Sequence, residues 1–246
     1  MRNVLITGAA GRLGTVLSSV FGEAGFRVAM SDLPNSDVHA KAEALRERGT
    51  EAVALDADVT DPKAVDGLVK ACLSACGGID VLVHAAGGSF GDLTGLPDPS
   101  FLEAEYDVWE QVTRVNLLGS ANVVRSVGRE MVTARHGTML LVTSGAGVRP
   151  VAGLAPYGAA KAGVIALARS AALELGEYGV LVNAVNPGLM VHPSEVPDER
   201  TVRGYLEQTS LGRLSSAGDV ARFILNLTLR EAVSGQVFSL DSRYLG

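Results

Sequence analysis

Tyr157 and Lys161 stand four residues apart in the segment Pro156-Tyr157-Gly158-Ala159-Ala160-Lys161-Ala162-Gly163-Val164, which reads as the first turns of a long helix. A spacing of four puts both side chains on one helical face, so that the ammonium lies near the phenol and lowers its pKa. A tyrosine with its ordinary pKa of about 10 is a poor proton acceptor at neutral pH. Beside a fixed positive charge it becomes a usable general base. Ser144 follows the apolar run Thr138-Met139-Leu140-Leu141-Val142-Thr143, thirteen residues before Tyr157. There the carboxyl edge of a strand would present its hydroxyl to the same place. A Tyr/Lys pair alone arises by chance on an amphipathic helix, so its weight depends on the elements around it.

The amino terminus supplies those elements. Asn3-Val4-Leu5-Ile6 is a short buried-strand pattern that runs into Thr7-Gly8-Ala9-Ala10-Gly11-Arg12-Leu13-Gly14 and then an apolar helix. A glycine-rich turn between strand and helix lets backbone N–H groups and the helix N-terminus approach a pyrophosphate. The helix stops at Gly25, and a second strand, Phe26-Arg27-Val28-Ala29-Met30, ends at Ser31-Asp32. This places a carboxylate where the ribose hydroxyls of an adenosine would lie. Strand, turn, helix, strand and acid arrive in the order of a dinucleotide site.

The bulk properties bound the alternatives. A chain of 246 residues, 47% hydrophobic, can bury a substantial core, and strands alternate with helices without a linker. One α/β domain spanning residues 1–246 is expected, built on a doubly wound parallel sheet. The 21 basic and 27 acidic residues give a net charge of -6 with no basic cluster, which argues against a nucleic-acid partner. Met1-Arg2 leads directly into a four-residue strand, too short for a signal-peptide core, and no apolar run reaches membrane-spanning length. A soluble, cytoplasmic chain with no membrane partner is expected. Cys72 and Cys76 are four apart on the helix after Thr60-Asp61-Pro62, a spacing that suits neither a redox pair nor a metal knuckle. They read as helix residues, and no metal site is expected. Two segments lack periodicity: Gly88 to about Ser100, and Leu189 to about Glu199 with Pro193 and Pro197. Both are expected to be structureless and to wall a pocket, with Phe90, Leu93, Leu96, Arg149, His192 and Glu195 as lining candidates.

Taken together these residues resemble the short-chain dehydrogenase/reductase family, in its compact single-domain branch, over nearly the whole chain. The resemblance implies a Rossmann-type doubly wound sheet of about seven strands with helices on both faces. Asn116, in Val115-Asn116-Leu117-Leu118-Gly119, matches the family's helix asparagine, so that Asn116, Ser144, Tyr157 and Lys161 complete its catalytic tetrad. Asp58-Val59 matches the pair that holds the adenine, Ala85-Ala86-Gly87 sits where the family carries Asn-Ala-Gly, and Asn186-Pro187-Gly188 matches the turn under the nicotinamide. Gly212-Arg213 and Asp219-Val220-Ala221 resemble the helix that precedes the last strand, Gly235 to Asp241. The implied cofactor contacts are Gly8, Gly11, Arg12, Leu13, Asp32, Asp58, Val59, Ala85, Ala86, Gly87, Tyr157, Lys161, Pro187, Gly188 and Met190.

By the same resemblance the reaction is hydride transfer between a secondary alcohol and its ketone, with Tyr157 as general acid and base. Lys161 would lower the tyrosine pKa and bind the nicotinamide ribose. Ser144 would hydrogen-bond the substrate oxygen, and Asn116 would hold a water that passes protons onward. Asp32 accepts hydrogen bonds from a ribose diol but repels a 2'-phosphate, which favours NAD over NADP. Arg12 is the counter-argument, because a basic residue in the glycine turn could pair with that phosphate.

Several positions depart from the family pattern. The glycines at 8, 11 and 14 have the spacing of the larger epimerase-like branch. His84 and Ala85 replace paired asparagines and should remove a polar contact to the adenosine side, and His192 replaces a threonine that binds the carboxamide. Leu240-Asp241-Ser242 lacks the usual terminal glycines. His39 and His136 read as surface residues. The substrate reading is a sugar, sugar acid or hydroxy acid, with a 3-oxoacyl-type ketoreductase as the alternative. A sugar-nucleotide epimerase or dehydratase and a non-catalytic dinucleotide sensor are the alternatives from other classes. The alanines of the Tyr157 helix, with the resemblance, imply a homotetramer or homodimer.

Overall fold

The computed structural model describes residues 1–191 and 199–243, so the expectations attached to His192 and Glu195 fall outside it. The amino-terminal half begins with β1 (Asn3–Thr7), α1 (Arg12–Glu23), β2 (Arg27–Asp32), α2 (Val38–Glu47) and β3 (Ala52–Asp56). It continues through α3 (Pro62–Cys76), β4 (Val81–His84) and a short α4 (Phe90–Thr94). A long helical run follows: α5 (Tyr106–Thr113), a wide π turn at Arg114–Leu118, and α6 (Gly119–Ala134). Then come β5 (Gly137–Val142), α7 (Ala155–Leu175), β6 (Val180–Asn186), β7 (Met190–Val191), α8 (Glu199–Leu206), β8 (Ser215–Ser216), α9 (Ala217–Leu227) and β9 (Val237–Ser239).

Seven strands form one parallel sheet in the order β3-β2-β1-β4-β5-β6-β9, and β7 pairs with β8 separately. The chain leaves β1 toward β2 and β3, then crosses back to β4 on the other side, so the winding reverses between β1 and β4. Such a switch point opens a crevice at the carboxyl ends of the strands. The central strands read as continuous apolar runs because helices cover both faces. Leu5, Leu82, Met139 and Leu141 face one core layer with α3, α6 and α7, while Val4, Ile6, Val83 and Leu140 face the other with α1, α2 and α9.

Local chemistry sets the element ends. Asp61 accepts from the Lys63 N–H at 2.8 Å, Pro62 takes the first helical position, and Gly77 closes α3 with φ 82°. These are the preferred start and stop of a helix. They turn Cys72 and Cys76 inward as free, buried thiols. The long helix after Ala155 is present as expected, whereas the last strand is shorter than the run from Gly235 to Asp241. The segment from Gly88 to Ser100 corrects the sequence reading, since it is not structureless. Ser89 caps α4 and Asp92 returns the bond to the Ser89 N–H, a capping box. Asp98 then ties the far end back, accepting from Ser89 Oγ at 2.8 Å and from the Gly91 N–H at 3.1 Å. Among the described residues no helix is long and apolar enough to cross a membrane.

Candidate active site

The crevice is shaped first by backbone contact. Gly8 leaves β1 with φ +69°, and a Cβ there would lie 2.6 Å from the Ala86 nitrogen. Gly14 faces the Gly8 carbonyl so closely that no side chain fits. Glycine at these two positions lets β1, α1 and the 85–86 turn close on one another. Gly11 stands just before α1 with extended backbone, leaving the first N–H groups of the helix directed at the cleft. At the end of β2, Asp32 accepts from the N–H groups of Ala10 and Leu33, both at 2.8 Å. A cavity of about 770 Å³ runs from Gly8, Gly11, Arg12 and Leu13 past Ala85 and Gly87 to Ser144, Tyr157, Lys161, Pro187, Gly188 and Met190.

Three of the four expected catalytic side chains meet in that cavity. β5 delivers Ser144, whose Oγ accepts from the Ala146 N–H at 3.2 Å and also hydrogen-bonds Tyr157. The first turns of α7 deliver Tyr157 and Lys161 on one face, the ammonium 5.7 Å from the centre of the phenol ring. The electrostatics differ from the sequence expectation. The walls of the cleft desolvate the phenol and push it up to about 12, a rise that the Ser144 hydrogen bond opposes. Lys161 does not pull it down, because its Nζ is turned to the Val142 carbonyl at 3.1 Å. Burial lowers the ammonium itself to about 8, with the Asp92 carboxylate opposing. Desolvation therefore moves both groups toward their neutral forms.

Asn116 is fully buried in the π turn, and its amide is spent on backbone. Nδ2 donates to the carbonyls of Gly88 and Val112 at 2.8 and 2.9 Å, and Oδ1 accepts from the Gly88 N–H at 3.1 Å. Both N–H donors of this amide are committed to backbone carbonyls, which gives it a structural role. It fixes Gly88, and with it Gly87, whose missing Cβ would collide with Asn116 Oδ1 and stand 3.2 Å from Lys161 Nζ.

His84 is buried and has a hydrogen-bond partner for each ring nitrogen within the fold. The buried imbalance of donors and acceptors fixes its tautomer. Ser120 Oγ donates to the Asn116 carbonyl at 2.5 Å, so it can only accept from His84 Nε2 at 2.9 Å, and Nδ1 then accepts from Thr7 Oγ at 2.7 Å. Burial and the nearby Lys161 charge hold the imidazole neutral, with its pKa lowered to about 3.

Other expected residues divide. Asp58 accepts from the Thr60 N–H at 2.8 Å, and Val59 packs under Gly119 while its carbonyl accepts from Asn122. Asn186 ties the Gly188 N–H at 2.9 Å and donates to Ser239, which holds the Pro187 turn. Leu96 is exposed, and Phe90 lines a small hollow beneath Tyr157 with Pro156 and Leu154. His39 and His136 are exposed beside Asp56 and Asp80. The residue that reasoning missed is Asp92, which lines the cavity and pairs with Arg12 at 3.0 Å across its mouth. Its signal was present as a Ser-x-x-Asp cap at Ser89.

A switch-point crevice, a side-chain-free glycine turn, a terminal carboxylate on β2 and a Ser–Tyr–Lys cluster together fit a nicotinamide dinucleotide and a carbonyl beside it. The family model described as short chain dehydrogenase matches residues 2–200. The chain is 36% identical over 241 residues to a (2S)-[(R)-hydroxy(phenyl)methyl]succinyl-CoA dehydrogenase subunit of Thauera aromatica, covering 96% of this chain and 93% of that protein. A 3-oxoacyl-[acyl-carrier protein] reductase with bound NAD from Brucella melitensis is 32% identical, with a TM-score of 0.88 over 100% of this chain and 92% of that one. An actinorhodin polyketide ketoreductase with NADPH is 27% identical at the same TM-score of 0.88, covering 98% of this chain and 96% of that one. The chain belongs to the short-chain dehydrogenase/reductase family. It is an oxidoreductase that interconverts alcohols and ketones, on a fold that binds a nicotinamide dinucleotide.

The Asn116 amide yields a stability prediction. Asn116→Leu leaves the buried N–H and carbonyl of Gly88 without partners, and should lower the unfolding free energy by about 2–4 kcal/mol. Urea denaturation measures this, and an unchanged midpoint would show that the π turn holds itself.

Proposed function

We propose that Tyr157 is the general acid and base of this enzyme, with Ser144 steadying the substrate oxygen and Lys161 supplying the nearby charge. The observation that carries the reading is the convergence of these three side chains at the carboxyl edge of β5, facing the glycine turn across one cavity. The nicotinamide, when bound, accepts or gives the hydride. In the oxidation direction Tyr157 must first lose its own proton to solvent, and its phenolate oxygen then takes the proton of the substrate hydroxyl, while the Ser144 hydroxyl donates to the oxygen where charge develops. In reduction the Tyr157 hydroxyl gives its proton to that oxygen. The raised phenol pKa suits the second role, since Tyr157 stays protonated through neutral pH.

The favoured cofactor is NAD. Asp32 ends β2 with one N–H bond on each carboxylate oxygen, leaving lone pairs for a ribose diol and a charge that repels a 2'-phosphate. Arg12, the group that argued for NADP, is paired with Asp92 on the opposite wall. The residues that would hold the dinucleotide are Gly8, Gly11, Arg12, Leu13, Asp32, Asp58, Val59, Ala85, Ala86, Gly87, Lys161, Pro187, Gly188 and Met190.

For the substrate, the names of the relatives favour the acyl alternative over a sugar. One acts on a hydroxylated succinyl group carried on coenzyme A, another on 3-oxoacyl groups on a carrier protein. We therefore assign a 3-oxoacyl or 3-hydroxyacyl group, with acetoacetyl-CoA as the simplest probe.

Three outcomes check the assignment. Tyr157→Phe should leave the NADH dissociation constant within about twofold and lower kcat for acetoacetyl-CoA reduction by about 10³-fold, and near-normal turnover would sink the role. The ratio of kcat/KM with NADH to that with NADPH should exceed about tenfold, as expected of a carboxylate facing a phosphate. A preference for NADPH would mean that Arg12 decides. Lys161 is charged below its value of about 8 and neutral above it. Reduction should thus be level from about pH 6 to 7 and decline through about 8, and a profile level to about pH 10 would remove the lysine from the mechanism.

A further inference from the structure

The carboxyl-terminal segment Leu240-Asp241-Ser242, which lacks the usual glycines, is followed after β9 by Arg243. Its Nε reaches both oxygens of Asp241 at 3.1 and 2.9 Å, and its Nη2 reaches Asp241 Oδ2 at 2.5 Å. The ion pair is sequestered, with side chains 13% and 5% exposed. Tyr205 of α8 donates to Asp241 Oδ1 at 2.6 Å and accepts from the Leu189 N–H at 2.9 Å. The guanidinium lies over the Tyr205 ring, 4.4 Å from its centre. Gly145 lies beside it, and a Cβ added there would collide with Arg243 Nη2 and lie 3.1 Å from Asp241 Oδ2. A Cβ added at Gly188 would lie 2.9 Å from Tyr205 Oη and 3.2 Å from Asp241 Cα.

The turn after Ser144 and the chain after Pro187, which border the reacting end of the cavity, therefore meet at one side-chain cluster: Gly145 lies against Arg243 and Asp241, and Gly188 and Leu189 lie against Asp241 and Tyr205. We propose that Arg243 is a positioning residue, which holds Gly145 against the Gly188–Leu189 backbone and so sets where the Ser144 hydroxyl stands. It acts through Ser144 rather than on substrate, and the proposal rests on the role assigned to Ser144 above. A planar fork held by a carboxylate and stacked on a ring has one orientation, which a flexible lysine does not reproduce.

The test is a mutant cycle read as acetoacetyl-CoA reduction by NADH, with the NADH dissociation constant and the melting temperature measured alongside. Arg243→Ala and Gly145→Ala should each lower kcat about tenfold, with NADH binding within about twofold of the parent. One removes the guanidinium and the other displaces it with an added methyl, so the double variant should be no slower than the worse single one. Arg243→Lys should recover less than half of the loss. In a Ser144→Ala background, Arg243→Ala should have no further effect on kcat. Full activity of Arg243→Ala, or losses that multiply in either double variant, would overturn the proposal. Should Arg243→Ala not fold, Tyr205→Phe takes its place, expected to lower kcat about threefold, and an unchanged kcat there overturns it equally. An unaffected kcat in Ser144→Ala alone would instead remove the reading of Ser144 on which it stands.

Discussion

The pair of hydrogen bonds between the Asn116 amide and the backbone of Gly88 is the constraint on which the site depends. A buried amide must satisfy its donors, and here it does so on a segment that lies beyond β4 and has no strand to hold it. The π turn is what allows this, because the wider helical turn places residue 116 inward between α5 and α6. Gly87 is then held where only hydrogen fits, beside Lys161, and the crevice between β1 and β4 keeps its width. The His84 chain braces the same turn from below, joining Thr7 on β1, Ser120 on α6 and the Asn116 carbonyl with every donor matched to an acceptor.

That scaffold has an electrostatic consequence. The crevice is deep enough to desolvate Tyr157 and Lys161 together, so the phenol is harder to ionise and the ammonium easier to discharge. A tyrosine that stays protonated is a ready acid, and a lysine near 8 can move its charge within the physiological range. Asp92, brought in by the capped helix α4, adds the negative charge that opposes the loss from Lys161. The insert at 88 to 100 thereby joins the chemistry of the cleft to its mouth, where the same carboxylate holds Arg12.

The parallel sheet was legible because its strands are apolar runs that alternate with helices, and the Tyr157 helix because spacing of four places two polar groups on one face. Ser144, Asp32 and the glycine turn followed from their places at strand ends. The side-chain partners did not follow. Nothing local tells that the Asn116 amide will bond Gly88 twenty-eight residues away, or that His84 will bond Thr7 and Ser120. The lysine was placed on the correct face, yet its direction toward the Val142 carbonyl depends on where β5 ends. Arg243 is the extreme case, because its contacts join segments nearly a hundred residues apart in sequence. Only α4 was within reach, through the cap at Ser89 and Asp92.

One cleft is proposed to seat the dinucleotide and present its reacting end to Ser144 and Tyr157, and a crystal structure of the enzyme with NAD would decide it. The adenosine ribose should lie on Asp32, the pyrophosphate at the N-terminus of α1, and the nicotinamide facing the Ser144 and Tyr157 hydroxyls. A dinucleotide seated with its nicotinamide away from these hydroxyls would contradict it.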